Sequence, residues 1–298
     1  MGNINNNVFD QYIVLKKYIS EEEKNEIQGL EDKCVEEDKV NMKLELNYRS
    51  KIEKDYKKDN GDINEFLNYL NNELIAYLSI SNFGGNIAEI NGMTHPGYRR
   101  RGIFTKIVTL ALEECKKRKF SEVLLLCDDK SYSGMKFIEG INGEYSFSEC
   151  RMNCIDWRIE ERNNNILLEK ANNDKIYEIN RLNGIFFGDI WSESILPEDE
   201  DKDGTTTYLI VLQNKTIGKI KVTKDLSSAF ISGFGIIPEF RGKGYGKAIL
   251  VEVLNNLNKE NINKVSLDVE IKNKSALYLY KSCGFKEESI MNYYSINI

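Results

Sequence analysis

Two rhythms of apolar positions alternate along this chain, and the same succession of them runs twice. In the first half, Tyr12 to Lys16 reads as a short strand, and a Glu-rich helix follows from Glu21. Residues 66–81 carry a strand pattern broken by a hairpin turn at Asn71-Asn72, and residues 86–94 continue it. Ile103, Ile107, Leu110, Ala111 and Cys115 then recur at helical spacing, and 122–127 returns to a strand. The second half repeats the order: a strand at 166–170, a helix from Asn173 to about Asn183, and strands over 206–222 and 229–237, the first broken at Asn214-Lys215. A helix carrying Ala248, Ile249, Val253 and Leu257 and a strand at 264–271 follow. The chain closes with a helix from Ser275 to Ser282, stopped by Gly284, and a strand from about Ser289 to Ile296.

The repetition is in register. Pro96, Arg99 and Gly102 match Pro238, Arg241 and Gly244, all at one offset of 142 residues. Three matches at a single offset point to a duplicated unit. The polar stretch Arg162-Asn163-Asn164-Asn165 has no periodic apolar signal, so the expected domains are 1–162 and 163–298. Each is of ordinary domain size. Hairpins combined with strand-helix-strand crossovers predict an α+β class, or α/β with a mixed sheet.

Composition narrows the function classes. Of 298 residues 41% are apolar, enough for two cores, and the net charge of -6 comes with both signs intermingled. With no basic tract, a nucleic-acid partner is not expected. The opening residues are polar and no apolar run approaches a membrane span, so the expectation is a cytoplasmic protein without a membrane partner. The six cysteines show no metal-binding spacing, and His95 is the only histidine, so no metal is expected.

The chemistry concentrates in Arg241-Gly242-Lys243-Gly244-Tyr245-Gly246-Lys247, at a junction of strand and helix. Glycines there allow tight turning and leave backbone N–H groups exposed. A helix start adds partial positive charge, and Arg241 and Lys243 add cations, which together suit a pyrophosphate. Taken alone, the loop also fits an ordinary Gly-rich turn. It lacks the Gly-Lys-Ser/Thr ending of a nucleotide-binding P-loop, and the antiparallel-looking strands before it do not suit a dinucleotide fold.

A second block, Asn273 to Phe285, holds Asn273, Ala276, Leu277-Tyr278, Tyr280 and Gly284-Phe285. With these two blocks the sequence resembles the Gcn5-related N-acetyltransferase superfamily. That family's loop reads Gln/Arg-x-x-Gly-x-Gly/Ala, matched by Arg241, Gly244 and Gly246, with Pro238 upstream. The resemblance is strongest over residues 206–298 and weaker over most of the chain. It implies tandem acyl-CoA N-acyltransferase folds that carry an acetyl or other short acyl group from acetyl-CoA to a primary amine, in the first instance of a small molecule. A coenzyme A-responsive scaffold without turnover and a protein N-acetyltransferase are the alternatives. Monomer and homodimer both stay open.

Site roles follow from the same resemblance. The backbone of Gly235, Ile236 and Ile237 is expected to pair with pantetheine and polarise the thioester carbonyl. Arg241, Gly242, Lys243, Gly244, Tyr245, Gly246 and Lys247 are expected on the pyrophosphate. Asn273 either caps the last helix or bonds to coenzyme A. Tyr280 is the general acid for the departing thiolate, and Tyr278, two residues earlier, faces elsewhere. The general base is less defined. The family often places a carboxylate on the strand before the loop, where the second copy has Ile231, Ser232 and Gly233. Asp189, Glu193 or an ordered water are candidates there. The first copy has Glu89 at such a position, but Phe104 in place of Gly246 and no tyrosine within Lys136 to Glu139. It reads as a structural or acceptor-binding domain, with coenzyme A binding through Arg99, Arg100 and Arg101 as the alternative.

Overall fold

The computed structural model describes residues 10–50, 61–82, 86–155, 166–188 and 195–297. The first half contains β1 (Gln11–Lys16), α1 (Glu21–Asp38), α2 (Leu46–Arg49), β2 (Glu65–Leu70), β3 (Glu73–Ser81) and β4 (Ile87–Thr94). After these come α3 (Ile103–Lys117), β5 (Glu122–Asp128), α4 (Tyr132–Gly140) and β6 (Glu144–Cys154). The second half contains β7 (Ile166–Lys170), α5 (Ile176–Phe187), α6 (Pro197–Lys202), β8 (Thr205–Leu212), β9 (Lys215–Lys224) and β10 (Ser228–Ile236). It closes with α7 (Tyr245–Lys259), β11 (Lys264–Glu270), α8 (Lys274–Ser282) and β12 (Lys286–Ile296). The mixed α/β architecture expected from the sequence is the one found.

These elements form two compact units, Met1–Phe147 with Met291–Ile298, and Ser148–Ile290. The expected boundary between 162 and 163 lies outside the described residues. The division differs from a simple cut because two strands cross over. β6 starts in the N-terminal unit, and its later part pairs antiparallel with β11, from Cys154↔Val265 to Glu149↔Glu270. The end of β12 pairs antiparallel with β5, from Met291↔Asp128 to Ile296↔Val123. Each half of the sequence therefore supplies a strand to the other half's sheet. The strand order is β1-β2-β3-β4-β5-β12 in the N-terminal unit and β6-β11-β10-β9-β8-β7 in the C-terminal unit. Within each, only β4–β5 and β10–β11 run parallel among the assigned pairs.

Local chemistry explains the elements. Ser20 and Glu23 form a reciprocal capping box that starts α1, whose Ile27, Leu30 and Cys34 are buried on one face. On α3, Ile103, Ile107, Ala111 and Cys115 form the buried stripe the sequence predicts. The hairpin between β2 and β3 turns at Asn71 and Asn72, with φ 49 and 65. Its counterpart turns at Gln213 and Asn214, φ 48 and 63, one residue before the expected Asn214-Lys215. Both are two-residue turns with left-handed backbone at each position, and Gln213 accepts that conformation without the asparagine signature.

The N-terminal unit also buries a charged network. Arg49 Nη1 lies 2.8 Å from Glu65 Oε1, and the Tyr77 hydroxyl donates to Glu65 Oε2 at 2.5 Å. Arg49 Nε further donates to the Leu44 carbonyl at 2.9 Å. Removing one member strands a buried charge, so Arg49→Met should lower stability by about 3–5 kcal/mol. A urea titration followed by circular dichroism should show the first transition moved to lower denaturant; an unmoved curve would mean the network is energetically idle.

Candidate active site

In the C-terminal unit, β10 is built to interrupt its own pairing. It runs parallel with β11 from Ser228 to Ile231 and antiparallel with β9 as far as Ile236, with a register break between Ser232 and Gly235. Gly233 and Phe234 stand in that bulge, outside both ladders. Gly233 takes a left-handed φ of 54, which a side chain would disfavour. Gly235 is required for a different reason, since a Cβ there would lie 2.5 Å from the Phe186 ring of α5. Phe234 points the other way, 3.8 Å from the Cβ position of Gly246 on α7. One face of the bulge therefore meets α5 and the other meets α7.

Two bonds tie the end of β10 to its surroundings. The Ile237 N–H donates to the Ile217 carbonyl at 2.8 Å, and Arg241 Nε donates to the Ile236 carbonyl at 2.7 Å. The Ile237 N–H expected to face a thioester is thus already committed to the strand neighbour, whereas Gly233 and Phe234 stand outside both ladders. A 3-10 turn at Pro238–Phe240 leads into Gly242 and Gly244, both left-handed with φ 74 and 82. Gly244 caps α7 and has no side chain with which to cap it. Lys215 and Lys243 each hold Nζ 5.2 Å from the Phe240 ring, and Arg241 is exposed. A helix start beside these cations is an arrangement able to attract an anion. Tyr245, Gly246 and Lys247 form its helical side, and Gly246 is tight, with Leu279 only 3.2 Å from a Cβ placed there.

From α8, Asn273 caps its own helix, accepting from the Ala276 N–H at 3.1 Å and the Ser275 hydroxyl at 3.0 Å. Tyr280 is buried, edge-on to Phe285 at 5.9 Å. Burial, and secondarily Cys283, push its hydroxyl up to about 12. Tyr278 is 79% exposed and points away. Of the proposed bases, Asp189 and Glu193 lie outside the described residues. Glu89 is half-buried on β4 of the N-terminal unit, opposite Ser81.

Lys219 belongs to no motif of the sequence. It sits on β9 opposite Gly235 and is 1% exposed. A Cβ at Gly233 would come 3.0 Å from its Nζ, which also lies 5.4 Å from the Phe187 ring. Burial, then repulsion from Lys221, draws its ammonium down to about 8 against the pull of Glu200. Lys221 itself is paired with Glu200 of α6. The available signal was a lysine inside a central strand, between buried Ile217 and Ile220.

The N-terminal unit repeats the skeleton and changes the chemistry. The His95 N–H donates to the Ile75 carbonyl at 2.8 Å, and Arg99 Nε to the Thr94 carbonyl at 3.1 Å. Arg100 and Gly102 are left-handed, φ 63 and 74. But both outer nitrogens of Arg99 bind Asp38, at 2.9 and 2.7 Å. Phe104 packs edge-on against Phe137 at 4.9 Å, and Ile138 occupies the place corresponding to Tyr280. These rings line a cleft together with Asn91, Gly92, Cys127 and Asp128. His95 caps its turn, Nδ1 accepting from the Gly97 N–H at 3.1 Å.

Comparison with known proteins matches this duplicated arrangement. The sequence pattern of the family described as "Acetyltransferase (GNAT) family" matches residues 31–139 and again residues 174–285. The [Ribosomal protein bS18]-alanine N-acetyltransferase of Escherichia coli (strain K12) is 28% identical over 106 residues, 35% of this chain and 70% of that protein. Among solved structures, a GCN5-related N-acetyltransferase from Sphaerobacter thermophilus superposes with TM-score 0.74 and 17% identity over 95% of both chains. A tandem GNAT protein from the clavulanic acid biosynthesis pathway, determined without AcCoA, gives TM-score 0.70 and 13% identity over 96% of this chain and 98% of that one.

Proposed function

The chain belongs to the acetyltransferase (GNAT) family, in tandem form, and from that membership we propose that its C-terminal unit transfers an acetyl group from acetyl-CoA to the primary amine of a small molecule. The observation that carries this reading is the continuous run from the Gly233–Phe234 bulge through the Gly242 and Gly244 turns into the start of α7, with Tyr280 on α8. In this assignment the bulge and the backbone of Gly235 and Ile236 hold the pantetheine arm as an added strand. Bulge N–H groups polarise the thioester carbonyl. Arg241 to Lys247 hold the pyrophosphate. Asn273 fixes the start of α8 and so the height of Tyr280. A phenol held near 12 loses energy if it passes its proton fully to a thiolate, whose thiol titrates at roughly 8.5. Tyr280 therefore acts as a hydrogen-bond donor to the leaving sulfur rather than as a complete proton donor. The N-terminal unit, with Arg99 clamped by Asp38 and Phe104 in the loop, serves as a non-catalytic partner domain.

A protein acceptor is the second reading, favoured by the similarity to an enzyme whose name gives a ribosomal protein's alanine as its target. Thiol release from acetyl-CoA, measured against polyamines, free amino acids and alanyl peptides, separates the two. Turnover of free amines supports the first reading, and turnover confined to peptides supports the second. Acetyl-CoA binding without turnover of either would leave a coenzyme A-responsive scaffold.

Arg241 supplies the simplest test of the loop. Its Nε bond braces the strand end, and in this assignment its outer nitrogens pair with the phosphate anion. Arg241→Ala should weaken acetyl-CoA binding about 10- to 100-fold, the worth of one charged hydrogen-bond set, while the fold survives. Unchanged affinity by calorimetry would remove Arg241 from the site.

A further inference from the structure

We propose that Lys219 is the proton acceptor for the attacking amine in the C-terminal unit. The proposal rests on the acetyl-transfer reading above and names the base that β10, carrying Ile231, Ser232 and Gly233, does not provide.

Position is the first argument. Lys219 Nζ fills the space a side chain at Gly233 would need, beside the bulge and on the α5 face. The absent side chain at Gly233 and the lysine amine are thus complementary, and the amine lies next to the backbone assigned to the thioester carbonyl.

Environment is the second. Among the described residues, the charged groups that reach Lys219 are Lys221 from β9 and Glu200 from α6, while α5 presents the Phe187 ring. Glu200 is already engaged by Lys221 and by the Thr207 hydroxyl. Burial draws the ammonium of a lysine so placed down to about 8, leaving a lone pair beside the Phe187 ring.

The duplicated unit supplies the third. The position corresponding to Lys219 is Tyr77, and that of Thr207 is Glu65. Tyr77 bonds Glu65, which pairs with Arg49, so the N-terminal unit closes this place with a satisfied network. The C-terminal unit sets an amine there against a phenyl face. For a residue that only packs, this is a costly choice.

The amine nitrogen bonds to the carbonyl carbon as the C=O π pair moves to oxygen. Its N–H proton passes to the Lys219 lone pair. The C–O pair re-forms, the C–S bond breaks, and its electrons go to sulfur, which accepts a hydrogen bond from Tyr280. Lys219 releases its proton to solvent, which returns one to the thiolate. The products are an amide and free coenzyme A.

The test uses the full chain with Lys219→Met and Lys219→Arg. Acetyl-CoA affinity is measured by calorimetry, and the pH profile of kcat/KM by thiol release with the fastest amine of the panel. In parallel, the Lys219 ε-carbon is titrated by NMR in ¹³C-lysine-labelled protein, assigned by its loss in Lys219→Met. Expected are a wild-type profile rising to a plateau with a midpoint near 8, an NMR midpoint to match, and a shift of that signal on adding acetyl-CoA. Lys219→Met should lower kcat/KM about 100-fold or more and erase the midpoint, with acetyl-CoA affinity held. Lys219→Arg, charged but unable to accept a proton, should be equally slow. Rescue by arginine, a wild-type profile in Lys219→Met, or an NMR midpoint above 10 would overturn the assignment. Failure of the wild type to bind acetyl-CoA would overturn the transfer reading, and Lys219's role with it.

Discussion

Gly246→Phe should abolish acetyl-CoA binding by the whole chain, with affinity falling at least about 100-fold. The substitution copies the N-terminal unit, where Phe104 occupies the corresponding position and leans on Phe137. In the C-terminal unit the neighbour is Leu279, already 3.2 Å from a Cβ built on Gly246. A phenyl ring cannot enter that gap, so it is driven toward the start of α7, where the pyrophosphate is assigned. Crowding of this kind costs about 1–3 kcal/mol of stability, a modest fall in Tm beside the loss of binding. Gly246→Ala is the control. Leu279 needs to give only a few tenths of an ångström, and binding should survive.

Calorimetric stoichiometry makes the same experiment a test of the tandem arrangement. The wild type should bind one acetyl-CoA per chain, and Gly246→Phe none. One equivalent remaining in the variant would place a competent site in the N-terminal unit. The structure argues against that outcome. Arg99 keeps the brace to the Thr94 carbonyl that Arg241 makes to Ile236, but its other two nitrogens are held by Asp38. That clamp keeps the Arg99 guanidinium above its ordinary range despite its partial burial. Opening it for a phosphate would exchange one charge-assisted pair for another, with little gain.

The loop was legible in the sequence because its function is written in backbone conformation. Gly242, Gly244 and the paired Arg100 and Gly102 are left-handed, and glycine at three of the four positions announces it. The duplication was legible because Pro, Arg and Gly serve the same turn twice. Strand exchange was not, because a strand's sequence records which face is buried and not which neighbour it joins. Glu144 to Cys154 alternates weakly, with Glu149 and Arg151 among its apolar residues, and its ladder with β11 is set by distant contacts such as the Arg151–Asp268 pair. Lys219 was hidden for a related reason. Read along the chain it is one more outward lysine of an alternating strand, like Lys221. The bulge at Gly233 and the ring of Phe187 stand against its amine, and neither is near it in sequence.

Tyr280→Phe should lower kcat about 100- to 1,000-fold, the usual loss when one hydrogen-bond donor to a developing negative charge is removed. Acetyl-CoA affinity should stay within a few-fold, because the ring keeps its packing on Phe285. The pH dependence discriminates between two roles for the hydroxyl. Burial raises Tyr280 to about 12, so the hydroxyl stays protonated through the whole working range and falls away only above it. Wild-type kcat should therefore show no alkaline fall from this group below about pH 11. An alkaline limb near 9 that vanishes in Tyr280→Phe would show a phenol poised for complete proton transfer, and the hydrogen-bond role would be wrong. Tyr278→Phe separates either role from a general effect on α8. Its ring is 79% exposed, so kcat should be unchanged. Loss of rate there as well would move the chemistry off Tyr280 and onto the placement of the helix.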